Sequence, residues 1–158
     1  MSGTSTADRE IVLTRVFDAP RSLVFRAWTQ PEHLMQWLAP KGFVVILADV
    51  DLRSGGAWRS GMRSPDGVDY YMRGTYREIV EPERLVFTHS WEDDTEPGHL
   101  PGHEALISVT FAESGGKTTM TFQVTGLTSD ASRDGQREGW SQAFDNLAAH
   151  LRERQANE

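Results

Sequence analysis

The sequence predicts an α+β domain in which a curved antiparallel sheet of about seven strands surrounds a long C-terminal helix. First, residues 43–127 are almost entirely strand-like segments separated by turn residues, which predicts six strands joined as a meander. Second, one strand-like segment and two short helical patterns precede them. Third, the end of the chain has a single apolar stripe at helical spacing. The two short helices therefore lie between the first and second strands.

The N-terminal part of this layout contains the first strand and the two short helices. Residues Glu10–Phe17 are rich in β-branched and aromatic side chains and predict the strand. Asp18 is expected to cap the next helix, with Pro20 just inside it. The second short helix begins at Pro31 and ends before Pro40.

The middle of the chain predicts strands with one apolar face. In the segment Leu85–Trp91 large apolar or aromatic residues alternate with smaller ones, and 105–111 and 119–124 repeat the pattern. Such alternation is typical of an antiparallel sheet that is covered on one side. Turn residues that separate the strands occur at 53–56, 64–67, 81–83, 92–102 and 114–116.

The C-terminal segment predicts the long helix. A polar, glycine-containing approach over residues 128–139 leads into an apolar stripe from Trp140 to Leu151. The opposite face is polar and includes Gln142 and Asn146. A helix of about 22 residues is about 33 Å long, as is a strand of about ten residues, so the helix can lie along the whole inner face of the sheet. We expect a single domain over residues 1–158, with its core over about 10–152.

The composition argues against several functions. The 158 residues contain 16 Lys and Arg against 23 Asp and Glu, a formal net charge of −7. This balance argues against non-specific nucleic-acid binding and against docking to an anionic membrane. No apolar run approaches the roughly 18 residues of a membrane span, and the polar start is unlike a signal peptide, so we expect a cytoplasmic protein. Because the chain has no Cys, it has no zinc-thiolate site and no thiol nucleophile.

Several ordered motifs resemble one known superfamily. They are Asp18-Ala19-Pro20, the run from Val24 to Leu34 with Trp37, Gly55–Arg59, Gly74–Ile79, Glu81–Thr88 and Gly139-Trp140. Together they look like the START-like (SRPBCC) superfamily, and most like its group named after the C-terminal domain of the activator of Hsp90 ATPase. The resemblance covers about residues 10–152. It implies a helix-grip fold with a cavity between sheet and helix, in which members bind lipids, steroids, polyketides or aromatic natural products.

Strand parity predicts the wall of such a cavity. If Trp58 faces inward, so do Ser60 and Met62, and Met72 and Tyr76 match them on the next strand. Large, adaptable side chains with few hydrogen-bonding groups suit a flat hydrophobic or aromatic ligand. The same side chains could instead simply fill the core. The predicted ligand-binding residues are Trp58, Met62, Tyr70, Met72, Tyr76, His89, Trp91, Phe111, Trp140 and Phe144.

His89 is the candidate for acid–base chemistry, since it lies on the apolar face between Phe87 and Trp91. A neutral imidazole there could donate to a ligand carbonyl or act as a general base near neutral pH. The alternative is a core histidine that is hydrogen-bonded to Tyr70 or Tyr76. The spacing of these residues does not show catalysis.

Two other patterns do not predict a cofactor or a metal ion. His99 and His103 flank a Pro-Gly pair, whereas two metal-binding histidines at this spacing require a helix. The run Gly115–Thr118 imitates the end of a phosphate-binding loop, but Phe111 stands where that loop needs glycine. A strand-like segment follows the run, so it predicts a hairpin turn. We therefore expect no cofactor and no metal site.

Four arginines are expected to share the outer face of the sheet. Because like charges across strands are destabilising, such a cluster requires compensation by Asp49, Asp51, Asp69 or an acidic partner. The four residues are Arg59, Arg63, Arg73 and Arg77.

The leading functional hypothesis is the binding of a small hydrophobic or aromatic molecule, such as a lipid or polyketide, between the sheet and the C-terminal helix. The first alternative, implied by the resemblance, is a protein-interaction domain that partners an Hsp90-type chaperone. The second alternative is a cyclase or hydrolase acting on a polyketide-like substrate, with His89 as the base. Similar folds also form homodimers, which would cover an exposed sheet edge.

Overall fold

The computed structural model describes residues 10–92, 104–127 and 129–156, and its strands form one antiparallel sheet. The spatial order is β1-β7-β6-β5-β4-β3-β2, so six consecutive strands form a meander and β1 pairs with the last of them. The predicted helix-grip fold is confirmed. The strands are β1 (Ile11–Phe17), β2 (Val44–Val50), β3 (Ala57–Arg63), β4 (Asp69–Val80), β5 (Arg84–Trp91), β6 (Ala105–Ser114) and β7 (Lys117–Thr125); the helices are α1 (Arg21–Thr29), α2 (Pro31–Trp37) and α3 (Asp130–Ala156).

The turns and bulges of the sheet follow from its sequence. Gly115 and Gly116 have φ angles of 62° and 79° and form the two-residue turn between β6 and β7, as a tight hairpin requires. This confirms the predicted hairpin. Register shifts between Val45 and Leu47 and between Tyr76 and Glu78 interrupt the ladders, and such irregularities bend strands.

The first helix starts later than its sequence suggests. It begins at Arg21, and Pro20 occupies the N-cap position without a side-chain hydrogen bond. The prediction that Asp18 caps this helix is therefore wrong. The amide N–H of Arg21 donates instead to the carboxylate of Glu113 on β6, at 2.8 Å, so an acidic residue near the helix start comes from the sheet.

Helix α3 is 27 residues long and begins at Asp130, so most of the predicted approach to it is helical. Gly135 and Gly139 lie within the helix without ending it, although each costs about 1 kcal/mol relative to alanine in a helix interior. Arg15 of β1 donates to Asp145 and to the carbonyl of Ser141, at 2.9 Å and 3.0 Å. These bonds tie the middle of α3 to the edge of the sheet.

The core lies between the concave face of the sheet and the three described helices. Trp28 of α1 is at its centre, with ring centroids 4.9 Å from Trp37 and 6.0 Å from Phe144. Elsewhere in the core, the rings of Phe25 and Phe111 pack edge to face, with their centroids 5.9 Å apart. Among the described helices, none is long and apolar enough to cross a membrane.

Candidate functional site

Two adjacent cavities lie between the concave face of the sheet and α3. The outer cavity has a volume of about 160 Å³ and is open to solvent on one side. The inner cavity has a volume of about 30 Å³. Leu38, Met72 and Trp140 border both, so these three side chains form the partition between them.

The outer cavity has an uncharged wall. Strands β3 to β5 supply two methionines and two aromatic rings, and α3 supplies small residues together with Trp140. An unpaired charge in such a site would be costly, because no described lining residue is charged. The wall therefore favours a neutral ligand. The lining residues are Leu38, Ala39, Pro40, Met62, Met72, His89, Trp91, Gly135, Gln136, Gly139, Trp140 and Ala143.

The inner cavity is the smaller of the two and shares Leu38, Met72 and Trp140 with the outer one. Cross-strand register places Trp58 opposite Gly74 and Ser60 opposite Met72, so Trp58 and Ser60 both face inward from β3. Burial raises the pKa of the Tyr76 phenol, which stays protonated at neutral pH. The lining residues are Trp28, Leu34, Leu38, Ala48, Asp49, Val50, Trp58, Arg59, Ser60, Met72, Tyr76, Leu85, Phe87 and Trp140.

The structure brings most of the predicted site residues together. Tyr70 lies instead against Phe43, with ring centroids 6.2 Å apart, and Phe111 lies against Phe25. Phe144 packs among the core aromatic rings, and these three predicted residues border neither cavity. Residues that do border one or both cavities are Trp58, Met62, Met72, Tyr76, His89, Trp91 and Trp140.

His89 lies in the wall of the outer cavity and is 2% exposed. Its Nε2 atom is 3.2 Å from the sulfur of Met72, a partner that the sequence did not indicate. Because a thioether has no hydrogen to donate, this contact assigns the imidazole proton to Nε2. The ring also meets Trp91 and Trp140 edge to face, with centroids 5.6 Å and 6.2 Å away.

Three buried donors belong to residues that border the two cavities. Within the part of the chain that the structure describes, Trp91 Nε1, Ser60 Oγ and Trp28 Nε1 have no hydrogen-bond partner. Trp91 borders the outer cavity, and the other two border the inner one. A buried donor without a partner is costly, so each favours a ligand atom that accepts a hydrogen bond.

The loop after α2 forms one wall of the outer cavity and is held by α3. Asn146 Nδ2 donates to the carbonyl of Ala39 at 2.9 Å, and the amide N–H of Lys41 donates to Gln142 Oε1 at 3.1 Å. The sequence placed Gln142 and Asn146 on the polar face of the helix but did not indicate their hydrogen bonds to this loop. The only sequence feature that could have suggested these bonds is the spacing of two amide side chains one helical turn apart.

The outer-face arginines have acidic partners nearby. Arg59 donates twice to Glu92, at 2.6 Å and 2.9 Å, and its guanidinium lies 4.6 Å from the centroid of the Tyr71 ring. Arg63 donates twice to Asp69, at 2.7 Å and 3.1 Å. These hydrogen bonds lower the pKa of both carboxyl groups. Asp69 was predicted to compensate this surface, whereas Glu92 was not.

The described residues show no candidate metal centre. No group of three or more His, Asp or Glu within 10–92, 104–127 and 129–156 could hold a metal ion. His99 and His103, which the sequence analysis considered, lie outside the described residues.

Comparisons with known proteins were consistent with this architecture. The family model described as Activator of Hsp90 ATPase homolog 1-like protein matches residues 18–152. A protein of Chromobacterium violaceum has 28% identity and a TM-score of 0.81, over 90% of this chain and 96% of that chain. The AHSA1 protein of Silicibacter pomeroyi has 26% identity and a TM-score of 0.79, over the same shares of 90% and 96%. An Arthrobacter aurescens protein shares the fold at 22% identity and a TM-score of 0.80, over 93% and 88%. The comparison with curated proteins found no match.

The sheet, the long helix and the cavity between them define a helix-grip protein of the START-like superfamily. Because the family model spans most of the chain, the protein belongs to the activator of Hsp90 ATPase homolog 1-like family. The resemblance drawn from the sequence motifs is confirmed.

Proposed function

We propose that this protein binds a small, uncharged aromatic molecule in the outer cavity. The observation that supports this proposal is the wall itself, which combines methionine and aromatic side chains with no charged described residue. Methionine adapts to irregular apolar shapes, and aromatic rings pack against flat ligands. Most ligand sites have this composition, with a few placed polar groups that fix orientation.

The size of the cavity sets the size of the ligand. An engineered apolar cavity of about 150 Å³ is large enough for benzene. The outer cavity has about 160 Å³ and an open side, so it suits one aromatic ring with a short substituent that extends toward solvent. A longer molecule would have to displace the partition at Met72.

Ethylbenzene is a suitable first probe, with benzoate as its charged counterpart. A ligand at about 100 times its dissociation constant stabilises a protein by about 2.7 kcal/mol, which is a rise in Tm of about 5–10 °C for a domain of this size. We expect this rise with ethylbenzene and a much smaller one with benzoate. No rise with either compound near the solubility limit would refute the proposal.

Gly135 offers a matched pair of variants. It borders the outer cavity, and a β-carbon added to it meets nothing within 4 Å. Gly135→Ala should stabilise α3 by about 0.5–1 kcal/mol and leave ethylbenzene binding unchanged. Gly135→Phe places a ring at the border of the cavity, so it should retain a stable fold and weaken ethylbenzene binding. Equal binding by both variants would place the ligand elsewhere.

The two alternative functions have less support from the contacts. Two of the four outer-face arginines already have paired carboxylates, which leaves less charge for an acidic partner. Activation of an Hsp90 ATPase is tested by measuring ATP hydrolysis at saturating protein. A cyclase or hydrolase would need His89 as its base, and that ring is 2% exposed with its Nε2 atom against the Met72 sulfur. Cytoplasmic location and a homodimer stay predictions.

A further inference from the structure

The inner cavity contains two buried donors that the apolar character of the outer cavity does not explain. Ser60 is 2% exposed and Trp28 is 4% exposed, and both border this small chamber. Within the described residues, neither the Ser60 hydroxyl nor the Trp28 indole N–H has a hydrogen-bond partner. The two side chains come from different elements, α1 and β3, and both line the same small cavity.

The chemistry of these donors selects the atom that they would bind. An indole N–H can only donate, so its partner must be an acceptor, and a serine hydroxyl can donate to the same atom. A carbonyl oxygen has two lone pairs and can accept both bonds. The inner cavity has about 30 Å³, above the roughly 10–15 Å³ that one water-sized group needs, so it has room for one such oxygen.

We propose that the two cavities form one binding site divided by the partition of Leu38, Met72 and Trp140, and that the inner cavity accepts the carbonyl oxygen of an aromatic ketone. This inference rests on the proposed function, since the ring of the ketone occupies the outer cavity. Methionine is unbranched and readily changes conformation, so Met72 can move to join the cavities. The Met72 sulfur accepts a hydrogen bond from His89, and this bond holds the partition in place in the free protein.

The charged residues near the inner cavity do not change its preference for a neutral oxygen atom. Asp49 and Arg59 face each other in the β2–β3 ladder and border the chamber. Because Trp58 and Ser60 point inward, the side chain of Arg59 between them points outward, where it pairs with Glu92. The inner cavity therefore presents neutral donors to a neutral oxygen.

Acetophenone and ethylbenzene form a matched pair of probes, because they share shape and size and differ in the carbonyl oxygen. Dissociation constants of both would be measured by calorimetry for the wild-type protein and for Ser60→Ala. We expect Ser60→Ala to weaken acetophenone binding by about fivefold or more, as for the loss of one hydrogen bond, and to change ethylbenzene binding by less than about twofold. Ser114→Ala, at the exposed end of β6, is the control and should change neither.

The outcomes separate this inference from the proposed function. Equal effects of Ser60→Ala on both probes, or no effect on either, would overturn the proposed carbonyl site in the inner cavity. Binding of ethylbenzene to the wild-type protein would still support the proposed ligand site in the outer cavity. Failure of both probes to bind the wild-type protein would overturn both proposals. Because Ser60→Ala removes only one buried oxygen atom, circular dichroism and thermal unfolding should show an intact fold.

Discussion

The indole Nε1 of Trp58 donates a hydrogen bond to the backbone carbonyl of Thr88, at 3.1 Å, across the strand that separates them. Trp58 is on β3 and Thr88 on β5, so the indole crosses β4 at Gly74, its cross-strand partner. The amide N–H of Thr75 donates to the Thr88 hydroxyl at 2.9 Å, which supplies a further bond between these strands. This crossing fixes the Trp58 ring in the wall of the inner cavity.

Gly74→Ala is predicted to destabilise the protein. A β-carbon at this position would lie 1.8 Å from the Thr88 carbonyl oxygen and 2.6 Å from Trp58 Nε1, so the strands would have to separate. We expect a loss of about 1–3 kcal/mol or more in the free energy of unfolding, measured with denaturant. Gly139→Ala is the control, because its β-carbon would be at an ordinary 3.7 Å from Pro40 and alanine favours the helix. Equal stability of wild type and Gly74→Ala would contradict this account of the crossing.

The sequence predicts the fold and the side chains that share the inner face of the sheet, for a physical reason. Alternation along a strand determines which side chains share a face, so Trp58, Met62 and Met72 could be placed on the inner wall. Alternation does not determine position along the sheet. Phe111 shares the inner face, yet it lies beside Phe25 and away from both cavities.

The parts that the sequence missed depend on contacts between distant segments. Asn146 was assigned to a polar face because its side chain is polar, but it holds a loop more than 100 residues earlier in the chain. The start of α3 was hard to place because Gly135 and Gly139 are typical of loops. The contact between Met72 and His89 likewise could not be identified without the three-dimensional positions of the two side chains.

Asn146→Ala is predicted to loosen the wall of the outer cavity. The variant loses the bond to the Ala39 carbonyl, and we expect it to cost about 1 kcal/mol of stability. Since Ala39 and Pro40 line the cavity, ethylbenzene should dissociate faster, which stopped-flow fluorescence can measure. Arg152→Ala, at an exposed site of the same helix, should change neither quantity. An unchanged dissociation rate in Asn146→Ala would show that the loop does not limit ligand release.

His89→Phe is predicted to retain ethylbenzene binding. The imidazole Nε2 faces the Met72 sulfur, and the contacts of the ring with Trp91 and Trp140 are of a kind that a phenyl ring also makes. The adjoining cavity gives the larger ring room, so we expect a stability change below about 1.5 kcal/mol. Calorimetry should show a dissociation constant within about threefold of wild type. A loss of tenfold or more in a folded variant would assign His89 a direct role in binding.

The stability of the protein is predicted to fall in mild acid because of a buried histidine pair between α2 and α3. His33 Nδ1 and His150 Nε2 are 2.8 Å apart, and the two residues are 4% and 9% exposed. Burial, followed by the charges of His33 and Arg154, lowers the pKa of His150, and Glu153 opposes this effect. The two histidines border a surface pocket that is also lined by Glu32 of α2 and by Glu153 and Arg154 of α3.

The sign of the pH effect follows from which state binds the proton. In the unfolded chain His150 binds a proton near its ordinary pKa of about 6.5, whereas the folded protein binds it only at lower pH. The free energy of unfolding is therefore highest above about pH 6.5 and falls as the pH drops toward the folded-state pKa. His150→Gln should flatten this dependence when unfolding by urea is measured at pH 7.5, 6.5 and 5.5. The same slope in wild type and His150→Gln would mean that groups other than this histidine cause the acid sensitivity. Hydrogen bonds lower the pKa values of Asp69, Glu92 and Asp145, so these carboxylates change the free energy of unfolding in a separate range, below about pH 4.5.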